Sequence, residues 1–219
     1  MAQPFRMIAH NGELNTDKKN RLSENAIAKA KDNRIVRPNG QSDSCRLDQT
    51  FHSRIMEDDM DLVTAVVSMM PPAWENDNAI DKNVRDMLEY FSLYEEKNDG
   101  PAAVIFGDGN IIGARLDRLG LRPLRTIETD KHIAVTSEAG QIDFVNETTI
   151  SRGRIEAGGM LYYDHSIGEV FRTTDALIKL SKQKDYSELL ERSRKKLTEL
   201  KQHNTCLLYT SDAADESDR

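Results

Sequence analysis

Three short polar breaks between strand-like segments constrain this chain more than any other feature. AAVIF (102–106) and NIIGARL (110–116) flank Gly107-Asp108-Gly109. LRTI (124–127) and HIAVTS (132–137) flank residues 128–131. MLYYD (160–164) and GEVFRT (168–173) flank His165-Ser166-Ile167. Loops this short join only antiparallel neighbours, because a parallel pair needs a crossover of about a dozen residues or more. The unbroken apolar run 102–106 predicts a strand covered on both faces.

Ahead of these hairpins the apolar period is helical. Leu62, Val63, Val66, Val67 and Met70 share one face, with Asp58 or Asp59 to cap the start and Pro71-Pro72 to end it. Asp81 caps a second helix whose stripe is Val84, Met87, Leu88 and Phe91. The Ala-rich stretch 24–31 predicts a third, and "RPNGQSDS" (37–44) reads as loop. Helices followed by antiparallel hairpins give an α+β layered domain. Beyond residue 174, Asp185 opens a charged helix with a narrow stripe of Tyr186, Leu189, Leu190, Leu197 and Leu200, which needs an apolar neighbour to be stable.

The 30 basic residues are interspersed among 37 acidic ones, for a net charge of −7, so no nucleic-acid footprint is expected. No apolar run reaches the ~18–20 residues of a spanning helix, and the start does not read as a secretory leader. Cys45 and Cys206 are far apart, and His10, His52, His132, His165 and His203 are scattered, which predicts no metal site and a reducing, cytoplasmic setting.

The stretch IAHNGELNT (8–16) carries the chemistry. Asn11-Gly12 is a turn pair by composition. An Asn amide beside a Gly backbone N–H is also a donor pair suited to a developing oxyanion. Asp43 in QSDS reads as an Asx turn or helix cap, or as a carboxylate offered to a ligand's ammonium group. Cys45 reads as a small buried filler rather than a nucleophile.

AQPFRMIAHNGELNT, GQSDS, PPAWEND, NDGPAAVIFGDGNIIGARLDRLGLRPLR and VTSEAGQIDF, in that order, resemble the large chain of glutamate synthase. The matching region is the later part of its class II, N-terminal-nucleophile glutamine amidotransferase domain. That resemblance implies part of a four-layer αββα sandwich of the N-terminal-nucleophile hydrolase type. It implies L-glutamine as substrate, Asn11 and Gly12 as the oxyanion hole, and Asp43 as the contact to the substrate's α-ammonium. His10 is then a hydrogen-bonding support, and Asp117, Arg118 and Arg122 form a buried ion-pair network bracing the loops, with Ser137 and Glu138 beside them. The family's nucleophilic cysteine and its early arginine have no counterpart in residues 1–219, so this piece alone is expected to be inactive.

By the same resemblance, FMN and an iron–sulfur cluster belong to the full-length protein and none to this chain. The implied partners are the downstream synthase domains and a small reductase subunit, with no membrane and no nucleic acid. Other class II amidotransferases, of phosphoribosyl or sugar-phosphate type, and a non-catalytic binding module are the alternatives. The expected organisation is an amidotransferase portion (1–174), a helical linker (175–205) and a non-native tail (206–219). The tail's CLLYTSDAADE resembles translated read-through of a library adaptor.

Overall fold

A computed structural model describes residues 5–31 and 40–195. In chain order the elements are β1 (Ile8–Gly12), α1 (Asp17–Ala30), α2 (Asp43–Met56), α3 (Leu62–Met69), α4 (Lys82–Ser92), β2 (Ala102–Gly107), β3 (Ile111–Leu116), β4 (Arg125–Thr129), β5 (Ile133–Thr136), β6 (Thr149–Arg154), β7 (Met160–Asp164), β8 (Glu169–Arg172), α5 (Thr173–Ser181) and α6 (Tyr186–Ser193). They form two sheets, one ordered β1-β2-β3-β7-β8 and one ordered β5-β4-β6. Every pairing is antiparallel.

The five-stranded sheet is the middle layer. Alternate residues of β2 serve opposite faces: Val104 and Phe106 join the helical core, whereas Ala103 packs with Ala114, Leu116 and Leu161. Ile133 and Val135 of β5 pack onto that second cluster, so the three-stranded sheet lies face to face with the larger one. On the opposite face, Leu47, Val63, Val66, Met87, Leu88 and Phe91 of α2–α4 complete the main core. The described layers therefore run helix, sheet, sheet, three of the four that an αββα sandwich contains.

Small residues permit the close packing. Gly113 faces Phe106 in register, and a Cβ there would meet that ring at 2.4 Å. The α3 C-terminus is closed by side chains, since Arg115 donates from Nε (3.0 Å) and Nη2 (2.6 Å) to the Met70 carbonyl. Arg115 is wholly buried, and desolvation pulls its pKa down to about 10, still protonated at neutral pH.

Several expectations change. α1 begins at Asp17 rather than Glu24, and α3 is capped by Asp61, whose carboxylate accepts from the Thr64 N–H at 2.9 Å, not by Asp58 or Asp59. The strand β6 and the non-sequential β3–β7 pairing were not foreseen. The C-terminal helices do have a neighbour: Leu177, Leu180 and Tyr186 enter the main core, and the Tyr186 ring meets Phe91 edge-on at 5.6 Å. The proposed tail (206–219), Leu197 and Leu200 of the charged helix, and residues 37–39 of the loop 37–44 lie outside the described residues, and the loop's last two residues, Asp43 and Ser44, open α2 instead.

Candidate active site

Strand β1 is pinned at both ends by one helix. Asp48 of α2 is buried and accepts the backbone N–H groups of Arg6 (3.0 Å), Met7 (2.8 Å) and Ile8 (3.0 Å), which fixes the strand's start. Five residues earlier on α2, Asp43 Oδ2 accepts the Leu14 N–H at 2.8 Å, which fixes the turn leaving the strand. Asn11 and Gly12 lie between these clamps, paired with Ala103 and Ala102 of β2.

Gly12 is required by the neighbouring strand. Its φ is 157°, and a Cβ there would sit 1.8 Å from the Pro101 carbonyl oxygen. The next residue bonds that same oxygen, Glu13 N–H to Pro101 O at 2.9 Å. The close backbone approach that Gly12 permits is to Pro101. The Asn11 side chain is exposed and makes no hydrogen bond among the described residues, so its amide is available as a donor.

Asp43 is the first residue of α2, behind the Ser42 cap, whose hydroxyl accepts from the Cys45 N–H at 3.2 Å. Its Oδ1 accepts the Ser44 N–H at 2.7 Å. Each carboxylate oxygen has two lone-pair directions, so one backbone bond apiece leaves room for another donor. The Ser44 hydroxyl lies 3.3 Å from Asp43 Oδ1 and 2.7 Å from His10 Nδ1. Burial holds the His10 pKa below its usual value; the Asp43 charge raises it and the Arg122 charge lowers it further. The arrangement thus brings His10, Asp43 and Arg122 within electrostatic reach of one another, with Asn11 and Gly12 following His10 on the same strand.

The ion-pair network expected around Asp117 is not what forms. Asp117 is buried, but its oxygens accept backbone N–H groups: Leu119 (3.0 Å) and Leu121 (3.2 Å) on Oδ1, and Leu121 (3.1 Å), Ala102 (3.2 Å) and Arg122 (3.4 Å) on Oδ2. A tight turn leaves several N–H groups unpaired by secondary structure, and one carboxylate meets them all. Arg118 pairs instead with Asp99 at 2.9 Å. Arg122 is half-buried, with no ion pair among the described residues. Ser137 and Glu138 follow β5 in the smaller sheet, where Ser137 Oγ accepts from Gln141 and the Glu138 carbonyl from Thr136. Cys45 is half-buried; its sulfur accepts from Gln41 Nε2 at 3.6 Å, and no base contacts it among the described residues.

Sequence reasoning missed Asp48. Its signal was an acidic residue between Leu47 and Phe51, beside the apolar stripe of what is now α2, where a buried carboxylate is kept only if backbone N–H groups bond to it.

Residues 1–189 match the family described as "Glutamine amidotransferases class-II". The chain belongs to that family. This amidotransferase domain is 31% identical over 202 residues to "Glutamate synthase [NADH]" of Saccharomyces cerevisiae, covering 87% of this chain and 9% of that protein. It is 33% identical over 202 residues to "Glutamate synthase [NADPH] large chain" of Bacillus subtilis, covering 87% and 13%. It is 29% identical to the chloroplastic ferredoxin-dependent glutamate synthase of Oryza sativa subsp. japonica, covering 90% and 13%. The domain therefore resembles glutamate synthase large chains and spans only 9% to 13% of the length of these relatives. Among solved structures, the B. subtilis PRPP amidotransferase complexed with ADP and GMP aligns with TM-score 0.42 and 18% identity, over 76% of this chain and 28% of that one. No helix among the described residues is long and apolar enough to cross a membrane.

Proposed function

We propose that this amidotransferase domain binds L-glutamine and serves its hydrolysis to glutamate and ammonia, as the glutaminase portion of a glutamate synthase. The observation that carries this reading is the Asp43–Leu14 bond, which fastens a carboxylate with spare acceptor capacity to the turn just beyond Asn11-Gly12. The substrate's α-ammonium pairs with Asp43, a charge-assisted contact. A thiolate adds to the side-chain amide carbon, and the oxygen that gains charge is held by the Asn11 amide and the Gly12 N–H. The C–N bond breaks, ammonia takes the thiol's proton and departs, and water cleaves the thioester to release glutamate. The Ser44 hydroxyl, fixed by His10, keeps the Asp43 carboxylate in one orientation.

In the longer protein, ammonia then passes to 2-oxoglutarate, and the resulting imine is reduced with electrons delivered through FMN and an iron–sulfur cluster held outside this chain. Downstream synthase domains and a small reductase subunit are the partners this requires.

Calorimetric titration of the 219-residue chain with L-glutamine tests the binding half. Asp43→Asn is expected to weaken binding at least tenfold, and unchanged affinity would remove Asp43 from the site. The chain alone is expected to release no ammonia from glutamine; turnover abolished by Cys45→Ala would overturn the role given to that cysteine. In a longer protein that carries the nucleophile, Asn11→Ala lowers the hydrolysis rate about 10²–10³-fold while binding changes less, as an oxyanion donor should.

A further inference from the structure

One hydrogen-bond chain in the candidate site runs in a single direction, and that direction distinguishes the two oxygens of Asp43. His10 Nδ1 lies 2.7 Å from Ser44 Oγ, which lies 3.3 Å from Asp43 Oδ1. An ionised carboxylate only accepts, so the hydroxyl hydrogen of Ser44 points to Oδ1. The Ser44 oxygen then accepts from His10, which places the imidazole proton on Nδ1 and leaves Nε2 bare in the neutral ring.

This order fills one oxygen and spares the other. Oδ1 accepts both the Ser44 N–H, at 2.7 Å, and the Ser44 hydroxyl. Oδ2 accepts the Leu14 N–H, at 2.8 Å, and no other donor among the described residues. With two lone-pair directions per oxygen, Oδ2 keeps one for a further donor. Its bond to Leu14 sets it beside the turn that leaves β1, just beyond Asn11 and Gly12. Burial, the largest influence on the ring, lowers the His10 pKa. Of the charges facing it, Asp43 at the start of α2 raises that pKa and Arg122, in the loop between β3 and β4, lowers it.

We propose that His10 is a positioning residue for substrate recognition: as the Nδ1–H tautomer it orders the Ser44 hydroxyl onto Asp43 Oδ1, so that Oδ2 receives the substrate's α-ammonium. The assignment rests on the glutamine reading and adds to it which oxygen binds and which tautomer holds that oxygen free. His10 keeps its Nδ1 proton in both charge states, so the hydrogen-bond chain survives acidification. A proton added at Nε2, however, sets a cation near Asp43 that competes with the ammonium. Glutamine binding therefore weakens as the ring is protonated, and bound glutamine in turn makes the ring harder to protonate.

Two measurements on the 219-residue chain test the proposal. Long-range nitrogen–proton NMR of the neutral His10 ring, without ligand, is expected to show Nδ1 protonated and Nε2 bare. Calorimetry with L-glutamine is expected to show binding weakened about five- to tenfold by His10→Ala and by Ser44→Ala. His10→Asn, which keeps an N–H donor near the Nδ1 position, should restore affinity to within about twofold of wild type. From about pH 8 to about pH 5, wild-type affinity should fall severalfold while that of His10→Asn stays flatter. A neutral ring protonated on Nε2, or an equal fall with pH in both proteins, would overturn the role of His10. So would wild-type affinity in His10→Ala where Asp43→Asn is weakened, and the glutamine site would then stand without it. Unchanged binding in Asp43→Asn, or no glutamine binding by wild type, would instead remove the glutamine reading and the positioning role together.

Discussion

The two sheets of this molecule are built from the same kind of hairpin and end up in opposite circumstances. The five-stranded sheet is covered on one face by helices and on the other by its smaller neighbour, so its inner strand β2 is apolar throughout. The three-stranded sheet packs one face on the larger sheet; the other carries Arg125, Arg152 and Arg154 together with Ile127, and every residue of its edge strand β6 is exposed. Burial on both faces demands volume and fit, and makes the larger sheet a rigid platform for the candidate active site at its β1 edge. Stability should therefore be concentrated around the larger sheet and the helices that hold β1, and changes to the outer strand of the smaller sheet should be well tolerated.

The largest expected loss comes from the buried polar cluster behind α2. Arg46 has no exposure and bonds Asp17 (2.5 Å), Glu24 (3.0 Å) and Asn98 (2.7 Å). Arg46→Met leaves the buried Glu24 carboxylate without that cation, at a cost of about 3–5 kcal/mol in urea unfolding. A loss below about 1 kcal/mol would show that this layer does not support the platform. Next comes the direct contrast between the sheets. Phe106→Ala in β2 should cost about 3–5 kcal/mol, and Ile150→Ala in β6 under about 0.5 kcal/mol. Comparable losses at the two positions would erase the distinction.

A smaller cost is expected at the site itself. Gly12→Ala forces the end of β1 away from the Pro101 carbonyl and should destabilise by about 1–3 kcal/mol. Unchanged stability would mean that the strand end is loose. The smallest effect is electrostatic. Because burial depresses the His10 pKa, the unfolded chain takes up this proton more readily than the folded one. The contribution to stability is thus present above the histidine's unfolded pKa of about 6.5 and is lost as pH falls through that value toward the folded one. An NMR titration of the His10 ring should give a midpoint below 6.5, raised by Arg122→Ala and lowered by Asp43→Asn. A midpoint at or above 6.5, insensitive to both changes, would separate the three groups.

The hairpins were legible because their signals are local: a turn with strand patterns on either side states its own pairing. The Asp81 cap and the stripe of Val84, Met87, Leu88 and Phe91 were legible for the same reason. What stayed hidden depends on distant partners. The pairing of β3 with β7 joins segments more than forty residues apart, and β6, with Thr149, Ser151 and Arg152 exposed, has no apolar alternation to announce it. At the site, Asn11, Gly12 and Asp43 were singled out through the order of motifs along the chain, and their roles remain the proposal made above. The partners of Asp117 were misjudged, because charge suggests ion pairs in a sequence whereas a tight turn supplies backbone donors that only the fold reveals. Asp48 was missed for that reason too.

The central claim is that the Asn11 amide, the Gly12 N–H and the Asp43 carboxylate face one ligand. Nitrogen–proton NMR spectra of the isotopically labelled chain during titration with L-glutamine test it most directly. The account predicts saturable shifts of the Asn11 side-chain amide and of the Gly12 and Leu14 N–H signals, with a common dissociation constant that Asp43→Asn raises. Binding that leaves these signals in place and moves others would contradict it.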